Sequence, residues 1–218
     1  TVQISTKVTT EMIRGKYDAI VVSVGSSPVK PPIPGADQEN VFFATQVLEQ
    51  AESAGKRVVV IGGGEVGIET GMYLAQQGRF VTVLEMKDSI AADATKIHYR
   101  SMMKEAWEHT EGLSAKTSVT VKAIQKEGVI YTDQSGKEQF VPADTVILSC
   151  GMKPCRDQAL AFGEAPIVLI DLRENIFSHV DSLLWKTAGP SYLSFLRNAS
   201  IIRKKSRSLQ NPAVSAVF

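Results

Sequence analysis

The run from Arg57 to Glu85, RVVVIGGGEVGIETGMYLAQQGRFVTVLE, constrains this chain more than any other stretch. It opens on Val58-Val59-Val60-Ile61, a short apolar run that reads as a buried parallel strand. The strand leads straight into Gly62-Gly63-Gly64-Glu65-Val66-Gly67, a G-x-G-x-x-G. The pattern then turns helical, with Val66, Met72, Tyr73 and Leu74 on one buried face and Gln76-Gln77-Gly78 closing the helix. A second strand, Phe80 to Leu84, ends on Glu85. Gly62 allows the tight turn off the strand, bare Gly64 lets a pyrophosphate approach the backbone, and Gly67 lets the helix pack close to the sheet. The helix N-terminus offers unpaired N–H groups and a positive dipole end to phosphates. Glu85 follows Gly62 by 23 residues (85 minus 62), where an acid accepts hydrogen bonds from adenosine ribose hydroxyls. A lone glycine fingerprint also occurs in plain loops. Strand, glycines, helix, strand and terminal acid in this order point to a bound dinucleotide.

Bulk properties exclude several other classes. The net charge of +1 over 218 residues gives no long-range attraction to nucleic acid or to a membrane surface. The apolar runs are far shorter than the ~20 residues that span a bilayer. Cys150 and Cys155 are too few for a disulfide framework, so a reducing cytoplasm is the expected setting. The opening TVQISTKVTTE has no signal-peptide pattern and no initiating Met, as in a processed chain or a fragment.

Along the chain, Val2 to Val8 alternate loosely, as in a short strand, and Thr9-Thr10-Glu11 suit the cap of a brief turn. Tyr17 to Gly25 reads as a buried strand ending in glycine. Ser26-Ser27-Pro28 and Lys30 to Gly35 (KPPIPG) read as an extended crossover and a domain boundary. A helix is expected over 44–54 with Thr45 as N-cap. Another is expected over 93–108, where Ile97, Met102, Met103, Ala106 and Trp107 recur at helical spacing as core positions. Between Lys116 and Val141 three short strands are expected, Val119–Ile124, Gly128–Thr132 and Gln139–Val141, with Asp133 to Lys137 as a hairpin turn. Asp144 to Ser149 then forms a buried strand ending in Cys150-Gly151.

This layout resembles the two-dinucleotide flavoprotein reductases of the pyridine nucleotide-disulfide oxidoreductase type. In these an NAD(P)-binding domain is inserted into an FAD-binding domain, and strands ending in glycine mark the seams. Ile20 to Gly25 and Val146 to Gly151 look like those seams, and KPPIPG resembles the crossover between them. Within the group the chain looks most similar to the C-terminal part of NADH:flavin oxidoreductases and 2,4-dienoyl-CoA reductases, over about residues 1–162. The resemblance implies an α/β fold: a Rossmann-like NAD(P)-binding domain with a parallel sheet and an antiparallel meander, flanked by remnants of an incomplete FAD-binding domain. It divides the chain into a partial FAD segment and crossover (1–34), the nucleotide domain (51–151), and a return segment with a divergent basic tail (152–218). It also implies a role for Glu69, where related reductases place a glutamate near the nicotinamide; the residue alone reads equally as a solvent-facing helical acid.

The departures from the family pattern set further expectations. No second G-x-G-x-x-G for FAD occurs in the chain. Where the family carries a strand ending in Gly-Asp, this chain has Ile170-Asp171, and the tail carries Arg203-Lys204-Lys205 and Arg207, as a frameshifted or alternatively spliced end would. FAD, expected for the family, is therefore expected to be retained weakly or not at all. NADH is expected over NADPH, because Glu85 opposes a 2′-phosphate and no arginine follows it; Lys87 partly offsets this. The cofactor-binding candidates are Gly62, Gly63, Gly64, Glu65, Gly67, Glu69, Glu85 and Gly151, the last at the carboxyl edge of the sheet. No catalytic side chain is expected, since hydride passage from nicotinamide to flavin needs no acid or base from the protein. Cys150 and Cys155 read as ordinary thiols, and His98, His109 and His179 are too scattered for a metal site. Two functional readings stand: the NADH-binding part of a flavin-dependent oxidoreductase, partnered by a flavin-bearing domain or subunit, or a nucleotide-binding or interaction module without chemistry of its own. An inactive truncated reductase fragment is a third.

Overall fold

The computed structural model describes residues 2–16, 20–47, 51–94, 97–162 and 167–169. Two compact units emerge: Pro28–Lys153, and the flanks Thr1–Ser27 with Pro154–Phe218. In chain order the elements are α1 (Thr10–Ile13), β1 (Ile20–Val22), β2 (Ser26–Pro28), β3 (Val41–Phe43), β4 (Arg57–Ile61), α2 (Glu65–Gln76) and β5 (Phe80–Leu84). Then come α3 (Ile97–Glu108), β6 (Leu113–Lys116), β7 (Thr120–Gln125), β8 (Gly128–Thr132), β9 (Glu138–Pro142) and β10 (Thr145–Leu148). The last are β11 (Met152–Pro154), α4 (Arg156–Leu160) and β12 (Ile167–Leu169).

The larger unit is built on a five-stranded parallel sheet in the order β3-β10-β4-β5-β6. Its central strands are apolar because both faces are covered. Val58 and Val60 of β4 face one way, into a cluster with Val81, Val83 and Ile147, Ile68 and Leu74 of α2, and Met103 of α3. Val59 and Ile61 face the other way, with Leu84, Val146 and Leu148, and meet Ile124, Val129, Tyr131 and Val141 of an antiparallel β7-β8-β9 meander. The four apolar residues of β4 are at most 5% exposed, so each contributes roughly 1.5–3 kcal/mol of burial. The crossover docks on the meander. Pro34 carbonyl accepts from Ile124 N–H at 2.8 Å, and Gln38 Nε2 donates to Ile124 carbonyl at 2.9 Å. Gly35 lies so close that a Cβ would stand 2.0 Å from the Ile124 carbonyl oxygen.

In the flanking unit, β1 and β12 pair in parallel, with Ile20 opposite Ile167. Thr10 hydroxyl donates to the Ala161 carbonyl at 3.3 Å.

Several expectations need correction. Val2 and Ile4 are 72% and 83% exposed and belong to no strand, because alternation without a partner strand buries nothing. Ser26–Pro28 is a strand, with Pro28 at its end, where a missing N–H costs least. Within the expected 44–54 helix, Ala44–Gln46 and Ala51–Ser53 are 3₁₀ turns and Val47 is helical, with 48–50 outside the described residues. There Gln46, not Thr45, supplies the side-chain bond, accepting from Phe43 N–H at 2.9 Å. Strands β3 and β6 went unpredicted, the one too short and the other too polar for its pattern to stand out. Helix α3 is described from Ile97, and Met102 on it is 63% exposed, so Met103 and not Met102 fills the core. Val66 is also on the outside, at 54%. The Ile170-Asp171 pair, His179 and the basic run of the tail lie outside the described residues.

Asp144 ties β4 to β10 at their starts. Its Oδ2 accepts from Arg57 N–H at 2.8 Å, and its Oδ1 from Arg57 Nε at 3.1 Å and Nη2 at 2.5 Å. The Arg57 guanidinium, then its backbone N–H, holds the Asp144 carboxyl below the usual carboxylate range. A carboxyl depressed in the folded state stabilises above its unfolded pKa of ~3.9 and loses that contribution as pH falls through the folded value. Asp144→Asn is therefore expected to lower the urea midpoint at neutral pH and to converge on the wild type as the pH falls through the depressed folded-state value. Urea melts at neutral and acid pH check this.

Candidate functional site

The sheet order makes β4 a switch point: the chain proceeds from it to β5 on one side and returns through β10 on the other. The strands end level, with Leu148 opposite Ile61 and Ile61 opposite Leu84. The glycine loop leaves β4 at this edge. Gly62 turns there at φ +101, a conformation that favours glycine, and its N–H donates to the Leu84 carbonyl at 2.9 Å. A Cβ on Gly62 would stand 2.3 Å from the Ser149 carbonyl oxygen. A Cβ on Gly67 would stand 1.9 Å from the Gly62 carbonyl oxygen, so α2 is seated directly on the loop.

Gly64 differs. Its φ of −66° is ordinary, and a Cβ there would meet nothing within 4 Å. It is the N-cap of α2 and supplies no side-chain cap. The first-turn N–H groups of α2, at Glu65 and beyond, therefore have no partner within the helix and end beside open space. Glu65 is exposed, as is Glu69 one turn further along α2. The arrangement fits a pyrophosphate, with room above Gly64, free donors and a positive dipole end.

Glu85 occupies the tip of β5, as expected, but it is only 7% exposed and is already engaged. Its Oε2 accepts from Gly63 N–H at 2.6 Å, and its Oε1 accepts from Lys87 N–H at 2.7 Å. Gly63 must be small for this: a Cβ there would stand 2.6 Å from Ile90 Cδ1 and 3.0 Å from Glu85 Cβ. The loop after β5 closes back as well, with Ala91 N–H donating to the Gly63 carbonyl at 2.8 Å.

On the β10 side, Ser149 N–H donates to the Ile61 carbonyl at 2.8 Å, and Cys150 Sγ lies 3.5 Å from the same oxygen. Burial pushes the Cys150 thiol up; the Ser149 backbone opposes this, and the nearby Glu85 carboxylate adds a smaller push in the same direction as burial. The thiol therefore stays protonated at neutral pH, unlike a redox nucleophile. Gly151, at φ +98, follows on the exposed edge, and its carbonyl accepts from Val29 N–H at 2.9 Å. Sequence reasoning had no means of finding Ser149 and Ala91. Each acts through backbone contacts with the glycine loop, which no residue type announces.

The glycines give a contrast to measure. Gly67→Ala drives a methyl into backbone and is expected to cost about 1–3 kcal/mol of stability or more. Gly64→Ala enters open space at a permitted φ and is expected to stay within about 0.5 kcal/mol. Denaturant titration of both variants tests the geometry of the loop without any ligand.

Comparison with known proteins agrees with this architecture. The family model described as "Pyridine nucleotide-disulphide oxidoreductase" matches residues 1–177. The chain is 42% identical over 141 residues to an NADH oxidase of Thermoanaerobacter brockii, covering 63% of this chain and 21% of that protein. It is 32% identical over 186 residues to a metal reductase of Desulforamulus reducens, covering 70% of this chain and 27% of that protein. Among solved structures, a 2-naphthoyl-CoA reductase in complex with 2-naphthoyl-CoA superposes with a TM-score of 0.66 at 32% identity, over 76% of this chain and 25% of that one. The chain thus spans about a quarter of the length of the relatives it matches. Its parallel sheet, glycine loop and antiparallel meander have the same explanation as the matches: the chain belongs to the pyridine nucleotide-disulphide oxidoreductase family.

Proposed function

We propose that this chain binds NADH on behalf of a flavin-dependent oxidoreductase. The observation that carries the reading is the open space over Gly64 at the uncapped start of α2, next to the Gly63 N–H that Glu85 holds. Backbone N–H groups around Gly64 and Glu65 receive the pyrophosphate. Gly62, Gly63 and Gly67 shape the loop that presents them. Glu85 keeps unused lone pairs on both oxygens, and these accept the adenosine ribose hydroxyls while its other lone pairs hold the loop. Gly151 and Glu69 flank the nicotinamide half. When bound, NADH supplies a hydride for transfer from nicotinamide C4 to flavin N5, and the chain contributes position and electrostatics.

The nucleotide domain is read as 51–151, with 1–34 and 152–218 as pieces of the FAD domain and its continuation. The NADH oxidase and 2-naphthoyl-CoA reductase among the relatives support a place near the NADH:flavin oxidoreductases. Two free thiols suit a reducing cytoplasm. The flavin itself fits this chain poorly: the only G-x-G-x-x-G is the one at Gly62. That absence favours a second reading, a nucleotide-binding or interaction module without chemistry of its own. The chain purified alone is expected to show little or no flavin absorbance. Stoichiometric FAD surviving gel filtration overturns this expectation.

The preference for NADH follows from charge. A carboxylate ~4 Å from a 2′-phosphate at an effective dielectric of ~20 is repelled by about 4 kcal/mol before relaxation. A third of that gives roughly tenfold discrimination. Calorimetry is expected to find NADH several-fold tighter than NADPH, and Glu85→Gln to narrow the gap. The same substitution leaves one buried N–H without an acceptor and is expected to cost about 1–3 kcal/mol of stability. Equal affinities for the two nucleotides in the wild type would sink the assignment of Glu85.

A further inference from the structure

The turn after β5 carries a single cation. Between Glu85 and Ala94 the only Lys or Arg is Lys87. Its backbone is fixed from two sides: its N–H donates to Glu85 Oε1 at 2.7 Å, and its carbonyl accepts from Ser118 N–H at 2.7 Å. A lysine anchored next to the ribose acid is well placed to meet a 2′-phosphate. Its ammonium, however, is already taken, because Lys87 Nζ pairs with the carboxylate of Asp93. Asp93 comes back to Lys87 because the loop folds on itself. Ala91 is 3% exposed, adopts φ +51 and donates its N–H to the Gly63 carbonyl, so the chain reverses two residues before Asp93. The turn's other carboxylate, Asp88, accepts from the Ser89 hydroxyl at 3.2 Å.

We infer that Asp93 is a specificity-determining residue of the nucleotide site: by holding Lys87 it withholds the turn's only cation from a 2′-phosphate. This rests on the NADH reading above. Glu85 repels the phosphate, and Asp93 removes the charge that would compensate. NADH has no phosphate at that position, so Lys87 has nothing to gain from it whether paired or free. The Lys87 and Asp93 side chains are 45% and 84% exposed, so the pair is solvated and the effect is bounded by what surface pairs are worth.

The test is calorimetric titration of the full chain with NADH and with NADPH, in wild type, Asp93→Asn and the double variant Asp93→Asn/Lys87→Met. An exposed position such as Asp93 tolerates the change without loss of fold. NADPH affinity is expected to rise about threefold in Asp93→Asn, with NADH affinity unchanged. The gain is expected to vanish in the double variant and to shrink as salt is raised. If NADH binds and Asp93→Asn leaves both affinities unmoved, the inference is overturned and the NADH reading stands. A gain that persists without Lys87 also overturns it, because Asp93 would then act directly by repulsion. Failure of the wild type to bind NADH at all removes the reading and the inference together.

Discussion

One buried carboxylate holds together the carboxyl edge of the parallel sheet, where the glycine loop leaves it. Glu85 accepts from Gly63 in the glycine loop and from Lys87 in the turn beyond β5, while its own backbone carbonyl accepts from Val119 N–H at 3.1 Å. Three segments that are distant in sequence thus converge on one residue at the end of one strand. A charged group only 7% exposed is stable only if it is hydrogen-bonded, and each oxygen accepts one backbone N–H. The acid is therefore structural before it is anything else. It shapes the loop whose N–H groups the nucleotide would meet, and it places Lys87. On the proposed reading, recognition and loop geometry share an atom set, so they cannot be tuned independently at this position.

The sheet explains why that edge is rigid. Residues of β4 alternate between a helical layer and the meander, and neither face of the strand sees water. The glycine loop issues from a strand whose four apolar residues are all buried. Its close contacts are with backbone: the Ser149 carbonyl behind Gly62, and the Gly62 carbonyl under Gly67. Backbone cannot swing aside as a flexible side chain can, so the two glycines are fixed by geometry, and Gly64 alone is left free to face a ligand.

The central βαβ unit was legible in the sequence because it carries two signals at once, an apolar run with a sharp glycine break and a helical period after it. The three meander strands were legible from their alternation and the Asp133 turn, whose Oδ1 accepts from Ser135 and Lys137 N–H at 3.0 Å. Strand β3 was not, because three residues carry no period. Strand β6, with Leu113 and Ala115 partly buried and Ser114 and Lys116 exposed, reads like a loop until β5 is beside it. At the site, the residue types of the fingerprint and the terminal acid were readable, but their partners were not. That Glu85 binds Gly63, that Asp93 returns to Lys87, and that Ser149 backs Gly62 depend on through-space meetings that tertiary structure alone creates. The Val66 and Met102 misreadings have a single cause: helical spacing says which residues share a face, not which face is covered.

The docking of the crossover on the meander constrains the order of assembly. Pro34, Gly35 and Gln38 all meet Ile124, and β4 pairs with β10 some 87 positions later, Val58 opposite Thr145. The first half of the larger unit is thus held by contacts that do not exist until its last strand has been made. Long-range pairing of this kind is slow to form, because loop closure must precede the contacts that reward it. On a ribosome, β4 and its glycine loop would emerge with one edge unpaired and one face bare. A chain interrupted before Thr145 would carry an apolar parallel strand with no neighbour on its β10 side, a surface that favours self-association over folding.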